Sequence, residues 1–175
     1  SLPTEDGIQL TVDGGATVKI VDNSKDFIDT RNHWAEDAID FVSARGLVNG
    51  MTATIYAPNA STTRAQLWTI LARQNDADLS GGANWYEKAQ AWAKDNGISD
   101  GTNPGAAVTR QQLVALLYRF AKDYLHKELS AGADLSGYVD WTESSEWARE
   151  SLAWAVGSGV IASTSAEEKV LSPAK

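Results

Sequence analysis

A tryptophan followed twelve residues later by a glycine occurs three times in this chain: Trp34 to Gly46, Trp85 to Gly97 and Trp147 to Gly159. An aromatic stands seven residues after each tryptophan (Phe41, Trp92, Trp154), and an aliphatic follows each glycine (Leu47, Ile98, Val160). Recurrence at this period means one supersecondary unit copied along the chain, which buries its apolar face only when neighbouring copies supply the other wall. Function is then to be sought in the unit and between units. A second half recurs as well. Pro58 precedes Thr63-Arg64-Ala65-Gln66 and Pro104 precedes Thr109-Arg110-Gln111-Gln112, with six residues from proline to arginine both times. The third matching proline is Pro173, which would put its arginine near residue 179, past the 175 residues of the sequence. The third unit is therefore expected to lack its second half.

Each unit reads as helix, loop, helix. Trp34, Ala38, Phe41 and Val42 fall at i, i+4, i+7 and i+8, one apolar stripe of a helix that Gly46 ends at positive φ. The tryptophans at these spacings are expected to pack in the core. Second helices begin at two capping boxes, Thr63 with Gln66 and Thr109 with Gln112. Their core faces are Leu67, Ile70 and Leu71 in one, and Leu113, Leu116, Leu117 and Phe120 in the other. Lys122 to Leu129 reads as a prolongation of the helix. Residues 8–21 have no counterpart in the units. Two β-rich runs flank Asp13-Gly14-Gly15, which predicts a hairpin. The expected division is residues 1–25 as the tail of a preceding β-rich domain or linker, then units at 26–83, 84–137 and 138–175, the last incomplete.

Arg64 and Arg110 are the leading site candidates. Each stands at the start of a helix, where the macrodipole disfavours a cation by up to about 1 kcal/mol, so helix propensity does not explain an arginine placed there twice. Free N–H groups beside a guanidinium fork suit a carboxylate. The alternative is a structural ion pair between units. Thr63 and Thr109 share these helix starts. The loops at Gly50 and Gly101 are expected nearby, glycine allowing close approach of backbone to a ligand, although a plain turn explains them equally. Trp68 and Trp141 fall outside the repeated apolar positions and are free to stack on sugar rings.

Several spaced pieces together resemble the S-layer homology family: Phe27-Ile28-Asp29, His33-Trp34-Ala35, Ala38-Ile39, Gly46 to Gly50, Tyr56-Ala57-Pro58 and Thr63-Arg64-Ala65-Gln66. The resemblance covers about residues 26 to 175. The family's Thr-Arg-Ala-Glu motif departs here, with glutamine in place of glutamate in both copies and Gln111 in place of alanine. The resemblance implies a mainly α fold of three tandem helix-loop-helix repeats in a pseudo-threefold arrangement, with ligand grooves between repeats. It also implies noncatalytic anchoring of an extracellular surface protein to secondary cell-wall polysaccharide, often a ketal-pyruvylated glycan whose carboxylate Arg64 and Arg110 would grip.

Composition narrows the alternatives. A net charge of −8 argues against nucleic acid and anionic membranes. The chain has no cysteine, which excludes disulfides and thiolate metal sites. No apolar stretch approaches the roughly 20 residues of a membrane span. His33 and His126 are the only histidines, without catalytic or metal-ligand spacing, so neither an enzyme nor a metal or other cofactor is expected. A glycoside-active fragment is the weakest reading. Self-association remains an alternative. The first helix of the third unit, with Trp147, Leu152, Trp154 and Val156, is expected to lie uncovered until a second copy, the hairpin or a helix supplied in trans buries it.

Overall fold

The computed structural model of the chain describes residues 2–4, 7–9, 14–19 and 21–175. It is mainly helical: α1 Glu36–Ala44, α2 Arg64–Gln74, α3 Glu87–Asp95, α4 Arg110–Arg119 and α5 Glu146–Gly157. One turn of π-helix, Phe120–Tyr124, continues α4, and a 3-10 turn, Trp141–Glu143, precedes α5. The continuation stops there, with His126 at φ 50°, so no helix runs on to Leu129. Two short strands, β1 Leu2–Thr4 and β2 Gly7–Gln9, pair antiparallel with Pro3 opposite Ile8. This is not the hairpin anticipated over residues 8–21. Gly14 and Gly15 form a bend, and no strand follows among the described residues up to 21. Residues 10–13 and 20 lie outside the description.

The three units repeat one backbone geometry. Gly46, Gly97 and Gly159 each end a first helix at φ 69°, where a side chain would crowd the following carbonyl. The residue before each proline, Ala57, Asn103 and Ser172, is left-handed at φ 64°, 50° and 50°. A carboxylate clamps the corresponding segment in two units. Asp29 accepts from the amides of Tyr56 and Ala57 at 2.9 and 2.7 Å, and Asp140 from those of Leu171 and Ser172 at 2.7 Å each.

Helices pair across unit boundaries: α2 packs on α3, and α4 on α5. Alanines make this close approach possible, since Ala89 and Ala93 of α3 and Ala148 and Ala155 of α5 are completely buried. One core gathers Leu67, Trp68 and Leu71 of α2 with Ile98, Leu116 and Phe120. The other gathers Val114 of α4 with Leu152 of α5, Tyr138, Ile161 and Leu171. The third unit's first helix is therefore covered, contrary to expectation: α4 buries Leu152, and Trp154 and Val156 are partly buried. Among the described helices it is α1 that has no helix packed on it. Its core contacts are Ile39 and Ser43, while Phe41 is exposed.

The first-helix tryptophans were expected in the core and are found outside it. Trp34, Trp85 and Trp147 are 92%, 62% and 55% exposed. Trp34 and Trp85 stand two residues before the first helical residue and Trp147 is the second residue of α5, so each side chain projects beyond the packed stretch of the helix.

Candidate functional site

The starts of α2 and α4 are junctions between units, and their polar groups are already engaged. Thr63 is extended, and its hydroxyl accepts from the Gln66 amide at 3.3 Å while the Gln66 side chain accepts from the Thr63 amide at 2.8 Å. Thr109 and Gln112 make the same reciprocal pair at 3.4 and 3.1 Å. Glutamine thus completes both capping boxes, and both threonine side chains serve the cap. The next amides donate to the following unit: Arg64 to the Ala106 carbonyl and Ala65 to that of Pro104, each at 3.0 Å. Arg110 and Gln111 donate to the carbonyls of Lys175 and Pro173 at 2.8 and 3.1 Å. The free N–H groups anticipated for a ligand are occupied by backbone.

The arginine side chains continue the same grip. Arg64 Nε donates to the Thr102 carbonyl at 2.8 Å, and its Nη2 donates to Ser99 Oγ at 3.1 Å and Asp100 Oδ1 at 2.5 Å. Asp100 is held below the usual carboxylate range, chiefly by the Thr102 amide, with Arg64 adding to the effect. Arg110 donates from Nε to the Leu171 carbonyl and from Nη2 to that of Ala162, each at 2.8 Å. The ion pair between units, left open by the residues alone, is therefore present at Arg64, and Arg110 makes the equivalent grip on carbonyls.

Arg64 still borders open space. A cavity of about 300 Å3 lies between units, edged by Arg64, Asp100, Gln112, Arg119 and Trp147 over a floor of Ala115 and Leu116. Arg119 lies in the last turn of α4 and makes no ion pair among the described residues. Two guanidiniums, one neutralised by Asp100, thus face an exposed indole. Such a pocket can take an anion at Arg119 and stack a ring on Trp147. Arg119, Gln112 and Trp147 were not read as site residues in the sequence, although Arg73 and Arg119 each stand nine residues after a junction arginine; Gln112 was read as a cap and Trp147 resembled a core position.

The other candidates fall elsewhere. Gly101, at φ 73°, adjoins Asp100, and its carbonyl accepts from Gln90 Nε2 at 2.7 Å. Gly50 lies away from Arg64 beside a separate 220 Å3 cavity with Phe27, Ser43 and Val48. A side chain at Gly50 would strike the Phe27 ring and the carbonyls of Ile55 and Thr52, so close packing explains this glycine. Each arginine reaches forward to the next unit, which is why neither approaches the first unit's loop. Trp68 is fully buried, with no face for a sugar, and its Nε1 is buried without a partner. Trp141 is partly buried against the third-unit core, 5.2 Å beneath the Arg149 guanidinium and apart from both junction arginines.

Among the described residues, no cluster of three His, Asp or Glu could hold a metal ion. No described helix is long and apolar enough to cross a membrane.

Comparison with known proteins agrees with this architecture. The amylopullulanase of Thermoanaerobacterium thermosulfurigenes is 34% identical over 152 residues, 78% of this chain and 8% of that protein. Exoglucanase XynX of Acetivibrio thermocellus is 30% identical over 158 residues, 81% of this chain and 14% of that protein. The surface-layer 125 kDa protein of Lysinibacillus sphaericus is 26% identical over 149 residues, 78% of this chain and 12% of that protein. The chain thus spans less than a sixth of each of these relatives. Residues 26–67 match the S-layer homology domain, the noncatalytic kind that anchors surface proteins to the cell wall, and that segment belongs to the family.

Proposed function

We propose that this chain retains an extracellular surface protein by binding an acidic cell-wall polysaccharide, and that the cavity edged by Arg64, Arg119 and Trp147 is where it does so. The observation that carries the reading is the juxtaposition of Arg119, without an ion-pair partner among the described residues, with the exposed Trp147 ring in one pocket between units. A ketal-pyruvylated sugar offers both matching parts, a carboxylate for the fork and a ring for the indole. Arg64 shapes the pocket and holds the Asp100 loop, so its contribution to binding is first of all a positioning one. The units at 84–137 and 138–175 are further S-layer homology repeats in this proposal. Their support is the recurring helix-ending glycine, the left-handed residue before proline and the junction arginine. One more helix seated on α1 would make a third pair and complete a pseudo-threefold arrangement.

Cosedimentation with purified wall sacculi tests the reading. Binding is expected to be strong to pyruvylated material, weak after the ketal is removed, and weak for Arg119→Ala on either. Equal binding to both materials would sink the carboxylate assignment. Self-association is the second reading, and the uncovered α1 with exposed Trp34 favours it. Light scattering over a concentration series separates it, since anchoring alone predicts a constant mass.

A further inference from the structure

A second groove, of about 490 Å3, lies at the C-terminal ends of α4 and α5 and shares no lining residue with the Arg64 cavity. One wall is the half-buried Trp154. Tyr118 meets that indole edge-on, with ring centroids 5.5 Å apart at 65°. The Tyr118 hydroxyl donates to Glu150 Oε1 at 2.6 Å and accepts from Lys122 Nζ at 3.0 Å, and Lys122 lies 3.6 Å from Glu150. Carboxylate, phenol and ammonium are thus held in a row beside an aromatic wall.

The opposite wall is built by the backbone at residues 129–132, fixed to α5. The Ala133 amide donates to the Ala153 carbonyl at 2.9 Å, and the hydroxyls of Ser130 and Ser158 lie 3.0 Å apart. Glycine is required on both sides of this approach. A Cβ on Gly132 would stand 2.8 Å from Ala153 Cβ, and one on Gly157 would stand 3.0 Å from the Ala131 carbonyl oxygen.

The equivalent aromatics of the other units have different surroundings. Trp92 is met by Phe120 and Tyr124, with centroids 6.5 and 5.2 Å away. Phe41 carries the Arg45 guanidinium 3.6 Å above its ring. At the positions of Tyr118 and Lys122, the first unit has Ala72, in α2, and Asp76, two residues past its end.

We propose that this groove binds a neutral sugar ring. The indole face accepts polarised C–H groups. Neighbouring hydroxyls, each both donor and acceptor, match Glu150 and Lys122 in turn. Glu150 pairs with Lys122 and, although Lys127 also lines the groove, an acidic substituent docked against the row would meet the Glu150 carboxylate. The site is independent of the carboxylate reading of the Arg119 pocket and would engage a different residue of a glycan.

Amide and indole NMR spectra of the full chain, titrated with methyl glucoside, methyl N-acetylglucosaminide and glucuronate, provide the test. Saturable shifts are expected at the Trp154 indole and at the Gly132 and Ala153 amides with a neutral sugar, and weaker ones with glucuronate. Tyr118→Phe keeps the ring packed on Trp154, and Glu150→Gln keeps the shape. Each should weaken binding about tenfold through lost hydrogen bonds. The proposal fails if no neutral sugar gives saturable shifts, if the shifts gather at Arg119 and Trp147, if glucuronate binds more tightly, or if both variants bind unchanged.

Discussion

Arg64 and Arg119 border one cavity but differ in what holds them, and substitution should separate their roles. Arg64 is largely covered and gives up three hydrogen bonds when truncated, one to a carboxylate. Arg64→Ala is therefore expected to cost about 2–3 kcal/mol of stability together with binding. Arg119→Ala should lie within about 0.5 kcal/mol of the parent in chemical denaturation while losing wall binding. Two of the carboxylates held below their usual range tie distant segments together and contribute to the response to acid. The Tyr56 amide holds Asp29 below the usual range, and the Thr102 amide, with Arg64 adding to it, does so for Asp100. A lowered folded-state value means the unfolded chain binds more protons, so stability present above the ordinary carboxylate pKa of about 3.9 is lost as pH falls through the folded values. Thermal midpoints should drop steeply below about pH 4, and a double change of Asp29→Asn and Asp100→Asn should flatten that slope. The same residues show what a sequence conveys. Arg64 and Arg110 stood out through their repeated offset, but an offset carries no information on whether a guanidinium meets a ligand or the next unit. Trp68 and Trp147 exchanged roles because periodicity marks a helix face, while burial depends on which neighbour covers it.

The capped helices of the junctions have a sharper signature than the rest of the fold. Thr63→Ala and Thr109→Ala should each cost about 1 kcal/mol, since each removes a hydroxyl that serves an otherwise unpaired amide. Both helix starts were legible for that reason: a capping box is local chemistry, complete within four residues. The left-handed residues before proline were not legible. Nothing in Ala57-Pro58 or Ser172-Pro173 announces positive φ, which the Asp29 and Asp140 clamps impose from about thirty residues away. Alanine is the poorest fit of the three there. Ala57→Gly is expected to stabilise the protein by up to about 1 kcal/mol, read as a raised denaturation midpoint, because the left-handed region costs a β-carbon roughly that much.

At the scale of the whole molecule, α2 to α5 form two pairs and α1 has no helical partner among them. Hydrogen exchange should accordingly be faster at the α1 amides than in the middle of α2 or α4, since local opening there uncovers less apolar surface. The pairing also sets two frames against each other. In the sequence frame a unit runs from one first helix to its own second helix, the frame in which the pattern of tryptophan, glycine and arginine is written. In the packing frame a module runs from a second helix to the next first helix, the frame in which Leu71, Ala93 and Ile98 share a core. The two are out of step by one helix. A fragment cut at the sequence boundaries, residues 26–83, therefore contains two helices that do not pack on each other. One cut half a period later, residues 59–103, contains a matched pair. Circular dichroism of the two peptides should show more helix in the second despite its shorter length. Any duplication or deletion made in units of the written repeat must then break one packing module at each seam and make another. Its success turns on whether the junction arginine finds acceptors in its new neighbour: side chains and a carbonyl for Arg64, carbonyls for Arg110.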